Sequence, residues 1–534
     1  MRYRVLLWIL VPISVCIGAA NGADWAQWRG PGRNGIAPPG PALSPMWPAG
    51  GPKKLWESEK IPSGEWGGLG SLAVAGGRVY LFVSWRYEVQ VPITVCMIPE
   101  GHIRSLGWVP ERLPVELERA MEEARVSEER AKLKDNEIRP WLDKWLAEHL
   151  SEEQKRQFGG FVYERLRRGK DAYPLDLLNR LATIRDKEIG SREELEKWFV
   201  ANGIDGELKN QVLRGIPTVR TLSRDTVICL DANDGKTLWK DEFPGRYYGW
   251  GSSSTPCIVG GRCYVAGGSD LYCLDATTGK EIWKTWLIGR EISSSPLVIE
   301  NLVVILGGWL SAYDANTGRL VWAQQKIQGN NGSPVAWVKD GKTYVLCNTG
   351  GETACADLKT GDQLWRVPGG GNCTPALDGD RMVVYAERGD IGLVAYKLSP
   401  TGAEKLWSVP PPDRGSSPLI YEGHVYAVGS DRVRCVNIET GKVKWEKVVG
   451  GGTEISSPII ADGKILAFYG RGNVLAMLEA TPENFSEFAR VQIQAAQCSS
   501  PAIVDGKLYL RLAQCVASFD LSKEANALPQ GPAK

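Results

Sequence analysis

The stretch Leu274-Asp275-Ala276-Thr277-Thr278-Gly279-Lys280-Glu281-Ile282-Trp283 decides the fold, because the chain repeats its pattern. Copies with eight positions from the first polar residue to the Trp are Asp231–Trp239, Asp275–Trp283, Asp314–Trp322, Asp357–Trp365, Asn437–Trp445 and, with a weaker turn, Ser399–Trp407. In five copies a Gly stands four positions before the Trp. An Asp or Asn followed by a Gly that tolerates positive φ predicts a tight turn between two strands. The Trp then falls on the second strand, where its large ring can be buried against a neighbouring repeat.

A second motif precedes each copy and sets the length of the repeat. Ser-Ser-Pro or a related tripeptide ends at Pro256, Pro296, Pro334, Pro375, Pro418, Pro458 and Pro501, and these prolines lie 38 to 43 residues apart. A period near forty residues that is built from short strands is typical of a β-propeller or a similar repeat array.

Counting the strands predicts how the array closes. Eight inner strands are predicted, around residues 72, 256, 296, 334, 375, 418, 458 and 501. Seven outer strands follow them, and the seventh is a degenerate one near Phe488. The last repeat, Ser499 to Leu521, ends after three strands, whereas Trp56 lies on an outer strand that precedes any inner strand. We therefore predict an all-β fold, an eight-bladed β-propeller whose two ends pair, because closure removes exposed sheet edges. Residues 24–52, rich in Gly and Pro, are predicted to cross the surface without regular structure.

The repeat is interrupted inside the first blade. Its second strand is predicted at Arg78 to Trp85, and its third strand comes only at Thr226 to Leu230. The residues between them are densely charged, with capping boxes that begin at Ser151 and Ser191 and apolar positions at helical spacing. We predict four to six short helices in this insertion. The connection from a second to a third strand opens on the face of the funnel mouth, so a helical cap beside or over the mouth is expected, with a solvated appendage as the alternative.

The N-terminus predicts an export signal. Basic residues open the chain, an apolar core runs from Val5 to Ile17, and small residues follow from Gly18 to Ala23. The core is too short to span a bilayer. Cys16 lies in a stretch that loosely resembles a lipoprotein site, although Val15 is bulkier than such sites prefer, and its lipidation stays open. The predicted organisation is a signal peptide at 1–23, a closing strand and half blade at 24–90, the insertion at 91–223, the remaining propeller at 224–521 and a tail at 522–534.

The composition excludes some classes of function. Lys and Arg number 63 against 62 Asp and Glu, so the chain lacks the basic excess of a nucleic-acid-binding protein. The 12 Cys residues are scattered, without Cys-x-x-Cys. Buried single thiols are expected, with one or two disulfides as the alternative in an exported protein.

The Asp-Ala-x-x-Gly-Lys-x-x-Trp repeat resembles the quinoprotein-type (PQQ-like) repeat, which occurs in pyrroloquinoline-quinone (PQQ) alcohol dehydrogenases and in the BamB propeller of the outer-membrane assembly machinery. The opening Trp25-Ala26-Gln27-Trp28-Arg29-Gly30-Pro31 is similar to the start of exported bacterial propellers of this group. The resemblance covers roughly 24–90 and 224–521. It implies that a Trp docks each blade on the next, which gives structural roles to Trp56, Trp239, Trp283, Trp322, Trp365, Trp407 and Trp445. One such scaffold hosts enzymes and non-enzymes alike.

The enzymes of this family hold PQQ between a Trp and a disulfide of adjacent cysteines, beside calcium and a catalytic Asp. This chain has no adjacent cysteines, since Cys373 follows Asn372, and it has no haem-attachment motif. Its three histidines, His102, His149 and His424, are too far apart in sequence to predict a metal site or a triad. We therefore predict no catalytic, cofactor-binding or metal-binding residue, and PQQ with calcium remains the alternative.

One set of polar residues is a candidate binding site. The segments before the inner strands lie at the funnel mouth in such folds, and they hold Trp250, Arg290, Glu291, Asn330, Asn331, Asn372, Arg414, Glu454 and Gln497. This ring could bind a small ligand or a peptide, and the alternative is a hydrated channel lining.

The sequence thus predicts an exported, non-catalytic, BamB-like propeller that acts as a protein-interaction scaffold. We expect a monomer in the periplasm or outside the cell, or associated with a membrane, whose partners are envelope or secreted proteins. The alternative is a PQQ-dependent oxidoreductase of the alcohol dehydrogenase type with its cofactor in the funnel. A sugar- or polymer-binding module is a third hypothesis, which rests only on the aromatic content. The sequence names neither the partner nor the purpose of the insertion.

Overall fold

The computed structural model describes residues 24–48, 50–63, 67–90, 97–110, 112–216, 219–245, 251–289, 292–387, 390–411, 416–429, 431–450, 456–470 and 473–526. The predicted signal peptide therefore lies outside the described residues. The chain divides into two compact units. One contains the described residues up to Tyr87 and from Leu222 onward, and the other is Glu88–Thr221.

The first unit is an eight-bladed propeller of antiparallel sheets, as predicted. Blade 1 contains β2 (Ala73–Ala75), β3 (Arg78–Gln90), β4 (Val219–Asp231) and β5 (Thr237–Pro244); blade 2 contains β6 (Cys257–Val259), β7 (Arg262–Gly267), β8 (Asp270–Asp275) and β9 (Glu281–Trp286); blade 3 contains β10 (Leu297–Ile299), β11 (Leu302–Asp314) and β12 (Leu320–Gly329); blade 4 contains β13 (Val335–Lys339), β14 (Lys342–Asn348), β15 (Glu352–Asp357) and β16 (Gln363–Pro368). Blade 5 contains β17 (Ala376–Asp378), β18 (Arg381–Tyr385), β19 (Leu393–Ser399) and β20 (Gly402–Val409); blade 6 contains β21 (Leu419–Tyr421), β22 (His424–Val428), β23 (Arg432–Asn437) and β24 (Val443–Val448); blade 7 contains β25 (Ile459–Ala461), β26 (Lys464–Tyr469), β27 (Val474–Glu479) and β28 (Glu487–Gln492); blade 8 contains β29 (Ala502–Val504), β30 (Lys507–Arg511), β31 (Val516–Asp520) and β1 (Lys53–Glu57). In blade 3 the two middle strands are continuous, so β11 pairs with β10 through its first half and with β12 through its second.

The predicted closure of the ring is confirmed. Strand β1 pairs antiparallel with β31, with Trp56 opposite Ser518, and it completes the three strands supplied by the end of the chain. Blade 8 is also bonded to blade 1, because the backbone N–H of Ser500 donates to the hydroxyl of Ser71 at 2.9 Å. Both chain ends therefore contribute strands to one sheet, and β1 covers the edge of β31 that would otherwise be exposed.

Each repeated Trp lies against the turn of the following blade. Trp283 of blade 2 donates its ring N–H to the carbonyl of Ala315 in blade 3 at 3.1 Å. Its ring covers Gly318, where an added Cβ would lie 2.5 Å from the ring and where φ is +70°. The repeated Gly is thus required both by its backbone conformation and by the ring packed on it. Equivalent ring N–H bonds to the next blade are made by Trp56, Trp239, Trp322, Trp365, Trp407 and Trp445.

The second unit contains α1 (Glu100–Ser105), α2 (Val115–Arg125), α3 (Glu128–Lys132), α4 (Asp135–His149), α5 (Glu152–Arg168), a short 3₁₀ helix (Gly169–Asp171), α6 (Leu175–Ala182), α7 (Arg192–Ala201) and α8 (Gly206–Arg214). The prediction of four to six helices was wrong, because short helices such as α1 and α3 carry too few residues for a visible apolar period. Ser151 begins α5 with the predicted capping box. Ser191 caps α7 by accepting from the N–H of Glu194, and the reciprocal bond is not among the described contacts. None of the described helices is long and apolar enough to cross a bilayer.

The expectation for residues 24–52 was also wrong in part. The stretch lacks long regular elements, as expected, but its first half is buried: Trp25 and Arg29 are each 2% exposed and Arg33 is 4% exposed. The Gly and Pro content predicted irregular backbone correctly, but composition carries no information about what that backbone packs against.

Candidate functional site in the central channel

The structure describes four of the nine residues predicted for the funnel mouth. Asn330, Asn331, Asn372 and Gln497 are described, whereas Trp250, Arg290, Glu291, Arg414 and Glu454 lie outside the described residues. The predicted ring is therefore neither assembled nor dispersed by the structure, and it stays a prediction.

Two members of the predicted ring meet directly. The Asn331 side chain in blade 4 donates to the side-chain oxygen of Asn372 in blade 5 at 2.6 Å. The backbone N–H of Asn372 in turn donates to the Glu387 carboxylate at 2.7 Å. The backbone carbonyl of Asn330 accepts from the backbone N–H groups of Ser293 and Ser294, at 2.8 Å each. These polar contacts connect neighbouring blades ahead of their inner strands.

A belt of Ser and Thr residues lies along the inner strands at the position before each of the regularly spaced prolines, and Ser71 before Leu72 is its counterpart in blade 1. In six places the backbone N–H of the residue at this position donates to the hydroxyl of its counterpart in the next blade, at 2.9 to 3.1 Å: Thr255 to Ser295, Ser295 to Ser333, Thr374 to Ser417, Ser417 to Ser457, Ser457 to Ser500, and Ser500 to Ser71. A Ser or Thr suits this position because one side chain can accept a bond across the gap between sheets. The Ser-Ser-Pro motif therefore joins the inner strands to one another.

The N-terminal segment crosses the channel inside this belt. Its backbone adds short bridges to the inner strands of three blades. Trp25 pairs with Val74 of blade 1, and the carbonyl of Ala26 accepts from the N–H of Ile258 in blade 2 at 2.7 Å. On the other side, Ile460 of blade 7 donates to the carbonyl of Gly35 at 2.8 Å. The segment is thereby bound to opposite sides of the ring.

Three side chains of this segment reach the starts of further inner strands. The Trp28 ring N–H donates to the Thr374 hydroxyl of blade 5 at 2.8 Å. Arg29 donates to the carbonyl of Pro418 in blade 6 at 2.5 Å. Arg33 donates to the carbonyls of Pro296 and Ser295 in blade 3, at 2.8 and 3.1 Å. Together, the backbone and side chains of residues 25–35 contact six of the eight blades.

The electrostatics of this segment are unusual because two cations are buried close together. Burial lowers the pKa of Arg29 to about 9 and that of Arg33 to about 10, and in Arg29 repulsion from Arg33 lowers it further. Both values lie above neutrality, so both guanidinium groups are charged at physiological pH. The channel centre is therefore a site of positive charge.

The described residues do not supply the groups that hold PQQ in the enzymes of the resembling family. They contain no group of three or more His, Cys, Asp or Glu side chains that could hold a metal ion. Cys373 is a free, buried thiol whose pKa burial raises to about 11, and its sulfur accepts from the Asn348 side chain at 3.0 Å. Trp28 and Arg29 donate to the starts of the inner strands of blades 5 and 6. The described residues of the channel therefore do not fit a quinone–calcium site, and five of the nine residues predicted for the funnel mouth lie outside them.

Sequence reasoning missed Arg29 and Arg33 as channel residues. The motif Trp28-Arg29-Gly30-Pro31 was visible in the sequence, but nothing local in it predicts burial of a cation. The one available signal was the pair of Arg residues in a segment without a nearby Asp or Glu after Asp24.

Comparisons with known proteins agree with this fold. The family described as "Outer membrane protein assembly factor BamB" matches residues 223–365 and 306–526, together more than half of the chain. Outer membrane protein assembly factor BamB of Salmonella typhimurium is 23% identical over 317 residues, which are 47% of this chain and 79% of that protein. Tetrathionate hydrolase of Acidithiobacillus ferrooxidans is 25% identical over 273 residues, 46% of this chain, and the chain spans only 54% of its length. The crystal structure of BamB from Moraxella catarrhalis superimposes with a TM-score of 0.44 and 17% identity, over 55% of this chain and 88% of that one.

Proposed function

Since the chain belongs to the family described as outer membrane protein assembly factor BamB, we propose that it is an exported, non-catalytic propeller that binds other proteins of the cell envelope. The proposal places its binding surfaces on the outside of the ring and on the helical insertion. Catalytic chemistry at the axis is not part of it. The protein acts as a monomeric scaffold.

The observation that carries this proposal is the N-terminal segment in the channel. Small-molecule and cofactor sites are concave and need room for the ligand. Here Trp28, Arg29 and Arg33 each donate to a strand-start carbonyl or hydroxyl of a different blade, so the chain's own side chains lie inside the channel. A channel that is closed by the chain itself suits a scaffold better than an oxidoreductase.

The helical insertion is the part of the molecule best suited to give this protein its own specificity. It forms a separate compact unit, Glu88–Thr221, which lies outside the matched residues 223–526. Its surface exposes large aliphatic side chains, with Val115 79% and Val200 78% exposed. Function depends on the sites that a chain adds to its fold, so this added unit is where we place the binding of this protein's own partners.

Capture of partners tests the role of the insertion. Tagged full-length protein and a variant that lacks residues 92–222, joined by a short Gly-Ser linker, are cross-linked in an envelope fraction and their partners are identified by mass spectrometry. We expect stoichiometric envelope partners with the full-length protein and their loss with the variant. Thermal unfolding of the variant serves as the control, because its propeller must still unfold cooperatively. Identical partners for both proteins would contradict the assignment.

A cofactor titration tests the non-catalytic part. Purified protein is incubated with PQQ and calcium, and the quinone absorbance and the alcohol-dependent reduction of a dye are recorded. We expect neither a bound quinone band nor dye reduction. A quinone band that persists through gel filtration, with dye reduction by an alcohol, would replace the scaffold with the oxidoreductase alternative.

A further inference from the structure

We propose that the centre of the propeller channel binds an oxyanion, a phosphate, sulfate or carboxylate group, held by Arg29 and Arg33. This site is distinct from the partner-binding role proposed above and does not depend on it. It rests on the burial of the two cations, on their unused donors and on the hydroxyl groups around them.

The first observation is the absence of a counter-charge within the described residues. Arg29 and Arg33 are 2% and 4% exposed. In the part of the chain that the structure describes, neither forms an ion pair with a carboxylate, and every bond they make goes to a neutral oxygen. Arg434 is paired with Glu446 at 2.5 Å, whereas Arg511 resembles Arg29, since its described bonds go only to backbone carbonyls and its Nε is unpaired. Arg29 and Arg33 differ from Arg511 in being two cations on one short segment. Burial of an uncompensated charge is strongly unfavourable, so a counter-ion is expected.

The second observation is a set of unused donors. A guanidinium group has five N–H donors in a planar fork. Among the described residues, Arg29 bonds through one terminal nitrogen, to the carbonyls of Asn34 and Pro418, and its buried Nε and Nη1 have no partner there. The buried Nε of Arg33 likewise has no partner in the described part of the chain. The two unpaired nitrogens of Arg29 point to different sides of its guanidinium group, and each leaves an N–H donor that the carbonyls do not use.

Two buried hydroxyl groups near these strand starts have no partner among the described residues. Ser416 stands two positions before Pro418, the residue that accepts from Arg29. Thr255 precedes the inner strand of blade 2, and its backbone N–H donates to the hydroxyl of Ser295, whose carbonyl accepts from Arg33. Unpaired hydroxyl groups therefore belong to the same belt of residues that the two Arg side chains contact.

Charge decides between water and an anion as the partner of these donors. Water would satisfy the N–H groups but would leave two cations in a buried space. Burial lowers the pKa of Arg29, and the charge of Arg33 lowers it as well. An anion bound to the unpaired donors offsets this buried positive charge. An oxyanion has several oxygens that can accept from separate N–H and hydroxyl donors at once, which a chloride ion does less well.

Thermal unfolding of the full chain in the presence of defined anions tests the proposal. Phosphate, sulfate, acetate and chloride are titrated at constant ionic strength. We expect a saturable rise of the unfolding temperature with at least one oxyanion and none with chloride. Because sulfate and phosphate also stabilise proteins by exclusion from the surface, only the saturable part counts.

Matched variants assign the effect to the channel. Arg33→Gln should lose the saturable rise, whereas Arg319→Gln, which changes an exposed Arg in the turn before β12, should retain it. Arg29→Lys keeps the charge but removes the Nε donor and the planar guanidinium group, so it should weaken anion binding and raise the saturation midpoint rather than abolish the effect. A saturable rise that is unchanged in Arg33→Gln and Arg29→Lys would overturn the assignment.

A direct measurement on the wild-type protein keeps the test decisive if a channel variant does not fold. Desalted protein is denatured, and the released anions are identified by ion chromatography and mass spectrometry, which separates inorganic phosphate and sulfate from organic carboxylates. A stoichiometric oxyanion, or a saturable rise of the unfolding temperature, supports the site. If only traces of anion are released and no saturable rise occurs, the channel holds water alone and the proposal is wrong.

Discussion

The propeller and the helical insertion are stabilised in opposite ways. In the propeller, one contact recurs around the ring: a Trp donates to a carbonyl of the next blade and covers its turn Gly, as Trp283 does with Ala315 and Gly318. In the insertion, a single cluster joins several elements. The carboxylate of Glu122 on α2 bonds Arg125 at 2.8 Å and Arg165 of α5 at 2.7 Å.

The two units differ in how many stabilising contacts remain when one contact is lost. A propeller blade that loses its Trp contact still keeps its sheet bonds and the hydroxyl belt, because each neighbour contributes a similar increment. Arg125 and Arg165 are only 5% and 3% exposed, and Glu122 is their shared counter-charge. Loss of that carboxylate leaves two buried cations at once. Redundancy therefore protects the ring, except where its two ends meet.

Removal of residues 24–60 should destabilise the propeller more than any other change considered, because it deletes β1 and the channel segment together. Blade 8 would then lack its outer strand and expose an edge of β31. We expect aggregation or loss of cooperative unfolding, measured by size-exclusion chromatography and differential scanning calorimetry. A soluble truncated protein of equal stability would show that closure does not hold the ring.

Glu122→Gln should have the next largest effect, confined to the helical unit. We expect destabilisation of that unit by about 3 kcal/mol, since removal of one partner of a buried ion pair leaves the others uncompensated. Glu128→Gln on α3, whose ion pair with Lys132 is fully exposed, is the matched control and should change stability by less than about 0.5 kcal/mol. Calorimetry should show an earlier helical transition and an unchanged propeller transition. A shift of both transitions together would mean that the two units unfold as one.

The same cluster predicts the response of the insertion to acid. Burial raises the pKa of Glu122, but the bonds and charges of Arg125 and Arg165 outweigh it and hold the pKa below its usual value. The stabilisation is therefore present above the ordinary pKa of a Glu and is lost as the pH falls through the lowered value. Acid should unfold the helical unit of the wild type, and Glu122→Gln should remove this dependence.

Asp225→Asn should change the pH dependence of the propeller in the opposite direction. Asp225 is fully buried, and burial raises its pKa to about 7 although the Tyr272 hydroxyl donates to it at 3.1 Å. The folded state keeps the proton that the unfolded state releases near pH 4, so stability is highest below pH 4 and falls as the pH rises to about 7. At pH 8 Asp225→Asn should be more stable than the wild type by on the order of 2 kcal/mol, because its amide oxygen can still accept from Tyr272.

Unfolding temperatures between pH 4 and pH 8 measure this effect. Asp378→Asn, which changes an exposed Asp at the end of β17, is the control and should follow the wild type. A parallel decline of stability with pH in Asp225→Asn and wild type would exclude Asp225 as the cause.

The smallest effects should come from two Trp→Phe substitutions. They test whether a carbonyl that accepts from several donors tolerates the loss of one. The carbonyl of Ala315 also accepts from Tyr264 and from Arg262, so Trp283→Phe should cost only about 0.5 kcal/mol. Among the described contacts the carbonyl of Leu358 accepts only from Trp322, at 2.8 Å, and Leu358 is fully buried. Trp322→Phe should therefore cost about 1–2 kcal/mol. Urea unfolding separates the two values, and equal costs would show that the number of donors on the carbonyl does not matter.

The sequence by itself determined the propeller, because the information for each blade is local. One nine-residue stretch contains the turn that begins at Asp275, its Gly279 and its Trp283. Because the same contact recurs in nearly every repeat, it produces a period in the sequence. Counting those periods predicted eight blades and the pairing of Trp56 with the end of the chain, which the register of β1 and β31 confirms. The helical insertion was visible for the same reason, since a capping box such as that at Ser151 needs only four residues.

Only the tertiary structure decided what lies at the centre. Arg29 meets Pro418 across 389 residues and Arg33 meets Pro296 across 263, and neither contact has a periodic or local signature. The roles of the Ser-Ser-Pro residues were hidden in the same way, because a hydroxyl that bonds to the next blade looks like any strand-start Ser until the ring is closed. Local turn chemistry specifies the blades, whereas the channel exists only once all eight blades surround the segment that fills it.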